Sequence, residues 1–139
     1  MSTSGILKVN KNGKYKYYYV SGDAFPEALK PEIRNAFKKG ADSPDDLVKN
    51  MGYEYKGYDG NIKERISPIT DSDAEEDLLN YEYGTDRLYD VDLDKKHINY
   101  TPITYITDCK AGYEFVKPYF KDGKYVKGFC RKMHNKMRR

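Results

Sequence analysis

The sequence contains no tryptophan, only two cysteines and only two histidines, and each shortage limits the kinds of core, disulfide or site that the chain can form. Without tryptophan, the aromatic part of a core must come from 15 tyrosines and five phenylalanines. A buried tyrosine hydroxyl requires a partner or water, so we expect polar contacts inside the core. Two cysteines are too few for a disulfide framework and are typical of a protein in a reducing compartment. One disulfide, between Cys109 and Cys130, is the alternative.

Long apolar segments are also missing. No run of 18 apolar residues is present, which predicts no membrane span. The first residues lack a basic segment followed by a long apolar core, so no signal peptide is expected and the predicted location is the cytoplasm, that of the host cell if the protein is viral. A chain of 139 residues predicts one domain, 1–139, with a single core.

The charge is distributed unevenly along the chain. Residues 117–139 hold nine lysines or arginines and one acid, Asp122, whereas the preceding 116 residues hold 16 bases and 21 acids. The chain is therefore an acidic body, net −5, with a basic end, net +8. Such an end attracts polyanions or docks on an acidic surface.

The first third of the chain predicts a hairpin followed by two helices. Tyrosine and valine flank Asn12-Gly13, a pair that suits a turn with positive φ, so residues 5–20 should form an antiparallel hairpin. Apolar residues at a spacing of four predict a helix over 26–39, which either begins at Pro31 or bends there. Ser43 should cap a second, short helix that ends before Gly52.

The middle of the chain carries weaker patterns. Residues 59–77 combine turn pairs with an acidic run, which predicts a mobile acidic loop, ending at most in one helical turn. Strands are expected over 81–93, with an interruption at 84–86, and over 97–101 and 103–107.

The C-terminal region, 112–139, predicts a basic hairpin and a frayed tail. Two similar aromatic-basic segments flank the turn pair Asp122-Gly123. This pattern resembles short aromatic-basic hairpins appended to many phage and bacterial proteins, a resemblance over about fifteen residues that implies no activity.

A wider resemblance involves the start of the chain. Met1-Ser2-Thr3, then two short strands, then Asp23-Ala24-Phe25-Pro26-Glu27 and a helix are similar to a family of small proteins from phages, prophages and archaeal mobile elements. A later Tyr-Glu-Tyr segment, residues 81–83, is similar too. The chain departs from the family pattern at Ser4, usually Arg, and at Ala24, usually Gly. The family has no activity to transfer, so the resemblance implies no catalytic residue.

Two sets of residues are candidate contacts. In the basic hairpin, cations for phosphates alternate with flat side chains for stacking, and a solubilising strand face is the alternative. Its candidate residues are Lys117, Lys124, Lys127, Phe129, Arg131 and Lys132. At the strand-to-helix turn, Asp23, Phe25 and Glu27 are candidates for a ligand or partner, unless Asp23 simply caps the helix and Glu27 complements its dipole.

Three patterns in the sequence bear on metal binding. Asp90, Asp92 and Asp94 alternate and would share one face of a strand, as a Mg²⁺-dependent nuclease requires. The acidic run at 71–82 has the spacing of a calcium loop but has Glu76 where that loop needs glycine. The two cysteines and two histidines lack the close spacing of zinc sites, so no metal and no cofactor are predicted.

These patterns together predict a small α+β domain, in which an antiparallel sheet carries two short helices on one face and a basic C-terminal hairpin. A small, charged, tyrosine-rich chain without reaction motifs favours an interaction protein that is not an enzyme, with a polyanion, meaning a nucleic acid, or a host nucleoprotein complex as its partner. The family resemblance implies that the protein is viral or from a mobile element and that a host defence complex is among the possible partners. The alternatives are a nucleotide-binding or nucleotide-sequestering protein and a metal-dependent nuclease.

Overall fold

The computed structural model describes residues 3–52, 54–56, 58–80, 87–103 and 109–133. The chain forms two compact units, Met1–Pro102 and Ile103–Arg139. The single domain expected over 1–139 stays a prediction, because a compact unit and an independently folding domain are different properties. In chain order, the elements are β1 (Gly5–Lys11), β2 (Lys14–Val20), α1 (Pro26–Lys38), α2 (Pro44–Lys49), β3 (Glu54–Lys56), β4 (Ile62–Glu64), β5 (Ile66–Ile69), α3 (Asp71–Asn80), β6 (Arg87–Asp92), β7 (His97–Pro102), β8 (Tyr113–Val116), β9 (Tyr119–Lys121), β10 (Lys124–Val126) and β11 (Phe129–Lys132).

The first unit is built around the predicted hairpin. Strands β1 and β2 pair antiparallel from Gly5↔Val20 to Lys11↔Lys14, and Asn12 and Gly13 form the turn with φ of 52° and 77°. The hairpin lies inside a five-stranded sheet of order β5-β2-β1-β6-β7. All pairings in this sheet are antiparallel except that of β1 with β6. These two strands run parallel because the long connection between them returns the chain to the end of the sheet at which β1 begins. The α+β class is confirmed.

One face of this sheet packs against α1 and α2, as expected. Leu7, Val9 and Tyr18 from the hairpin join apolar side chains of both helices in one buried cluster. Helix α1 begins at Pro26 and includes Pro31, so the first of the two alternatives for Pro31 is wrong. Ser43 caps α2 as predicted, since its Oγ accepts a hydrogen bond from the Asp46 amide at 3.1 Å.

The opposite face of the sheet carries α3, and this corrects the loop expected at 59–77. Ile66 is buried in the core cluster on the first face, whereas Ile69 and Tyr19 line a cavity with α3. Thr70 accepts a hydrogen bond from the Asp73 amide at 3.1 Å, so a threonine cap starts this helix. The acids of its first turn favour the positive end of the helix dipole, and Ala74 and Leu78 are buried. A loop was expected because the acids obscured this pattern.

Several expectations lie outside the described residues. These are the Tyr-Glu-Tyr segment at 81–83, most of the strand at 103–107, and the tail after Met133. Across the described part of the chain, no helix has the length and apolar composition needed to cross a membrane.

Candidate nucleic-acid interface

The C-terminal unit contains one long hairpin, and its turn is where the sequence predicts it. Strands β9 and β10 pair from Tyr119↔Val126 to Lys121↔Lys124 around Asp122 and Gly123, whose φ angles are 52° and 77°. Strands β8 and β11 continue the pairing from Val116↔Phe129 to Tyr113↔Lys132. The two ladders share one register, because two residues separate them on each strand.

The break between the two ladders has a local cause. Pro118 has no amide hydrogen to donate, so it interrupts the ladder at this point. On the other strand, a Cβ atom at Gly128 would lie 2.5 Å from Cζ of Phe115. The Phe115 ring therefore occupies the space beside Gly128 and covers the backbone where the pairing is lost.

The register divides the predicted contact residues between two faces. Directly paired residues point to the same side of a two-stranded ribbon, and successive residues alternate. Lys117, Lys124 and Lys132 lie on one face, which we call the basic face. Lys127, Phe129 and Arg131 lie on the other, which we call the apolar face. The six residues therefore do not form one surface.

The basic face concentrates positive charge. Lys121 is a fourth lysine on this face and pairs directly with Lys124. The two acids of residues 113–132 are elsewhere, with Asp122 in the turn and Glu114 on the apolar face. Tyr119 lies between these lysines with 41% of its surface exposed. Cations and an exposed ring on one face are what phosphate contact plus base stacking requires.

On the apolar face, part of the positive charge is paired and two aromatic rings pack together. The Arg131 Nε lies 3.3 Å from Oε2 of Glu114, its cross-strand neighbour. Phe120 and Tyr125 pack edge-on with ring centroids 5.6 Å apart. Two of the predicted contacts, Phe129 and Arg131, thus belong to a surface with less free positive charge than the opposite one.

A disulfide joins Cys109 to Cys130 at the base of the hairpin. Cys130 itself is exposed. The bond connects the segment before β8 to β11, and the Met133 amide donates to the Gly112 carbonyl at 2.9 Å beside it. In the same segment, Lys110 Nζ lies 4.5 Å from the centre of the Tyr113 ring. A zinc site that uses either cysteine is incompatible with this bond.

The second candidate site, at the strand-to-helix turn, lies on the surface. Asp23, Phe25 and Glu27 are all exposed. Asp23 has φ of 52° and does not cap α1, because the cap position is Phe25 and no side chain caps there; the local alternative for Asp23 is therefore wrong. A contact with a ligand or partner through these residues stays a prediction.

Sequence reasoning missed the residue that holds this turn. Arg65 is 7% exposed and forms a two-pronged ion pair with Glu32, with nitrogen–oxygen distances of 2.8 and 2.7 Å. It also donates to the carbonyl groups of Gly22 at 2.9 Å and Asp23 at 3.2 Å. An isolated arginine in an acidic stretch carries no local signal for this role. Only the fold brings α1 and β5 to the same turn.

The predicted acidic face of β6 is only partly formed. Asp90 and Asp92 lie on one face, but Asp94 lies in the turn after the strand. Each has its own partner: Asp90 accepts from Asn10 Nδ2 at 2.5 Å, Asp92 from the Lys95 amide, and Asp94 from the Asn12 amide. Among the described residues, no group of three or more potential metal ligands comes together. Residues 71–80 form α3, so the calcium-loop pattern is not a loop.

Two cavities lined by described residues are a poor match for a nucleotide. A cavity of about 370 Å³ is lined by Tyr19, Ile69, Asp73, Glu76 and Asp77, whose carboxylates repel phosphate. A second, of about 340 Å³, has Asp45 and Glu64 against a single lysine, Lys49. In it, Tyr18 donates to Asp45 at 2.6 Å, and burial together with this bond raises the pKa of Tyr18. Tyrosine hydroxyls find partners inside the fold, as the composition predicts.

Comparison with protein-family models, with curated proteins and with solved structures finds no match.

Proposed function

We propose that this protein binds nucleic acid through the basic face of its C-terminal hairpin, without catalysing a reaction. The observation that carries the proposal is the register of residues 113–132. It gathers Lys117, Lys121, Lys124 and Lys132 on one face, together with the exposed ring of Tyr119.

The electrostatics of the basic face support a polyanion. Lys121 and Lys124 are directly opposite, and like charges at such positions destabilise a sheet unless an anion lies between them. The described residues of the hairpin place no carboxylate on this face. A phosphate chain would neutralise these charges and release counterions as it binds.

The form of the hairpin suits the same partner. A two-stranded ribbon is narrow enough to follow a nucleic-acid backbone or to enter a major groove. The apolar face, with Val116 and Phe120, then points away from a ligand bound on the basic face. The action on a host nucleoprotein complex, the phage or mobile-element origin and the cytoplasmic location stay predictions; a disulfide is more typical of an oxidising compartment.

Fluorescence anisotropy of the full chain with labelled oligonucleotides at several salt concentrations tests the proposal. Binding should weaken with salt by a log–log slope of about −0.7 per phosphate contact on a single strand. The variant Lys117→Gln/Lys132→Gln should flatten that slope by about 1.4. Lys127→Gln/Arg131→Gln removes the same charge from the apolar face and should have little effect. Absence of binding by the wild-type chain at low salt would refute the proposal.

A further inference from the structure

The chain contains two turns of the same design, and one of them already holds an anion. Lys11-Asn12-Gly13-Lys14 and Lys121-Asp122-Gly123-Lys124 both join paired strands, and their central residues have the same φ angles, 52° and 77°. In both, the flanking lysines are the last cross-strand pair of the ladder. The two turns therefore present the same backbone donors and the same flanking ammonium groups.

The first turn binds a carboxylate from outside the hairpin. The Asn12 amide donates to Oδ2 of Asp94 at 2.8 Å, and Lys11 Nζ lies 2.9 Å from Oδ1. These two contacts hold the pKa of Asp94 below its usual value, the amide first and the lysine second. A turn of this design thus stabilises the charged form of an anion.

The second turn has the same donors without the incoming carboxylate. Within residues 109–133, no acid from outside the turn contacts Lys121 or Lys124. One side chain differs between the turns, because Asp122 stands where the first turn has Asn12. Its negative charge weakens the site for an anion but leaves the backbone amide in place.

Tyr119 adds a second kind of contact beside this turn. It lies on the same face as Lys121, two residues away, which corresponds to about 7 Å along a strand. Its ring is exposed and can stack on a base. Stacking requires an unpaired base, because a duplex offers proteins the edges of its bases and not their faces.

We infer that the Lys121–Lys124 turn binds a backbone phosphate of a single-stranded nucleic acid, while the Tyr119 ring stacks on an adjacent base. The phosphate is held by the Asp122 amide and the Lys121 ammonium, as the Asp94 carboxylate is held by Asn12 and Lys11. This inference rests on the proposed function and adds the strandedness of the partner and the point of contact.

The variant Asp122→Asn converts the second turn into the design of the first. With labelled oligothymidine at low salt, it should bind about threefold more tightly than wild type, the size of one exposed charge contact. Glu114→Gln is the matched control, since it changes the net charge equally but lies on the apolar face. An equal gain in both variants would mean that only net charge matters and would overturn the inference.

Two further variants test the stacking contact. Tyr119→Ala should lose about tenfold in affinity for oligothymidine, whereas Tyr119→Phe, which keeps the ring, should bind like wild type. A duplex of the same length should bind more weakly and should not respond to Tyr119→Ala. Amide exchange at 113–132 confirms that each variant keeps the hairpin.

The outcomes separate the two proposals. If the wild-type chain binds the duplex as tightly as oligothymidine, or Tyr119→Ala binds like wild type, the single-strand inference is wrong and the proposed function stands. If the wild-type chain binds neither probe at low salt, both are wrong.

Discussion

Two hairpins in this protein have turns of the same type but lie in different surroundings. The hairpin β1–β2 lies inside a five-stranded sheet, where Ile6 on one face and Leu7 on the other are fully buried. The strands of the hairpin at 113–132 pair with each other, and the described residues supply them with no further strand. Turns of the same local sequence therefore form one hairpin that contributes to the core and another whose strands, among the described residues, pair only with each other.

The two hairpins depend on different sources of stability. A two-stranded hairpin alone is marginal in water, because it buries little apolar surface. The first gains a core from the helices around it, and the partly buried ion pair between Arg65 and Glu32 supports the turn that follows it. The second has the Cys109–Cys130 disulfide and the packing of Phe115 over Gly128. Changes at these points should affect one hairpin and spare the other.

The largest expected effect is on the first unit. Replacing Arg65 by methionine leaves Glu32 without its partner and removes the donors from the carbonyl groups of Gly22 and Asp23. Glu32 keeps 33% of its side-chain surface exposed, so the loss comes mainly from the carbonyl groups left without donors, at about 1 to 3 kcal/mol each. Chemical denaturation followed by circular dichroism should show this loss in the free energy of unfolding.

Lys63→Met is the control for that change. Lys63 is exposed and lies 3.7 Å from Asp59, a surface ion pair of the kind worth about 0 to 1 kcal/mol. Equal losses in the two variants would contradict the structural role assigned to Arg65.

The next largest effect is on the second hairpin. Reduction of the Cys109–Cys130 disulfide opens a loop with a sequence separation of 21 residues. Loss of this constraint on the unfolded chain should cost about 3 kcal/mol, more than a lone hairpin can lose and remain ordered. Amide exchange at 113–132 should accelerate strongly in reducing agent, whereas exchange in β1 and β2 should not change. Unaltered protection at 113–132 would show that packing alone holds this hairpin.

A smaller effect is expected at Gly128. An added Cβ would lie 2.5 Å from the Phe115 ring and 3.1 Å from the Val116 carbonyl oxygen, so Gly128→Ala should destabilise the hairpin by about 1 to 2 kcal/mol. Gly22→Ala is the control, because nothing lies within 4 Å of its added Cβ. The double variant Gly128→Ala/Phe115→Leu should recover part of the loss. Failure of Gly128→Ala to raise amide exchange at Val116 and Phe129 would contradict the contact.

The sequence predicts these features unequally, and the reason is the range of the interactions. Asn12-Gly13 and Asp122-Gly123 identify both turns because a turn with positive φ depends on two adjacent residues. Thr70, three residues before Asp73, is also a local signal for α3, but the acidic run masks it. The parallel pairing of β1 with β6 and the contacts of Arg65 join segments far apart in the chain, so no local pattern indicates them.

The candidate site falls between these cases. Alternation along each strand predicts that Lys117 shares a face with Tyr119, and that Lys127 shares one with Arg131. It does not tell which face of one strand matches which face of the other. The turn fixes that register, and the register separates Lys117 from Lys127. Combining the turn with the alternation is therefore enough to find the basic face from sequence.

The smallest expected effect concerns acid and again contrasts the two turns. The pKa of Asp94 is lowered by the Asn12 amide and by Lys11, and the pKa of Asp45 is lowered by Lys16 and Tyr18. A carboxyl group with a lower pKa in the folded state than in the unfolded one stabilises the fold at pH values above its unfolded pKa of about 4. This contribution is lost as the pH falls through the lower, folded pKa. Both carboxylates are largely exposed, so solvent screening keeps the effect modest.

The Asn12 amide should therefore lose protection from exchange as the pH falls below about 4, once the intrinsic pH dependence of exchange is removed. Asp94→Asn should abolish that pH dependence, because an amide side chain does not titrate. The Asp122 amide has no carboxylate from outside its turn within residues 109–133, so its protection should not follow this titration. If both amides respond to acid in the same way, the carboxylate at the first turn is not what distinguishes the two.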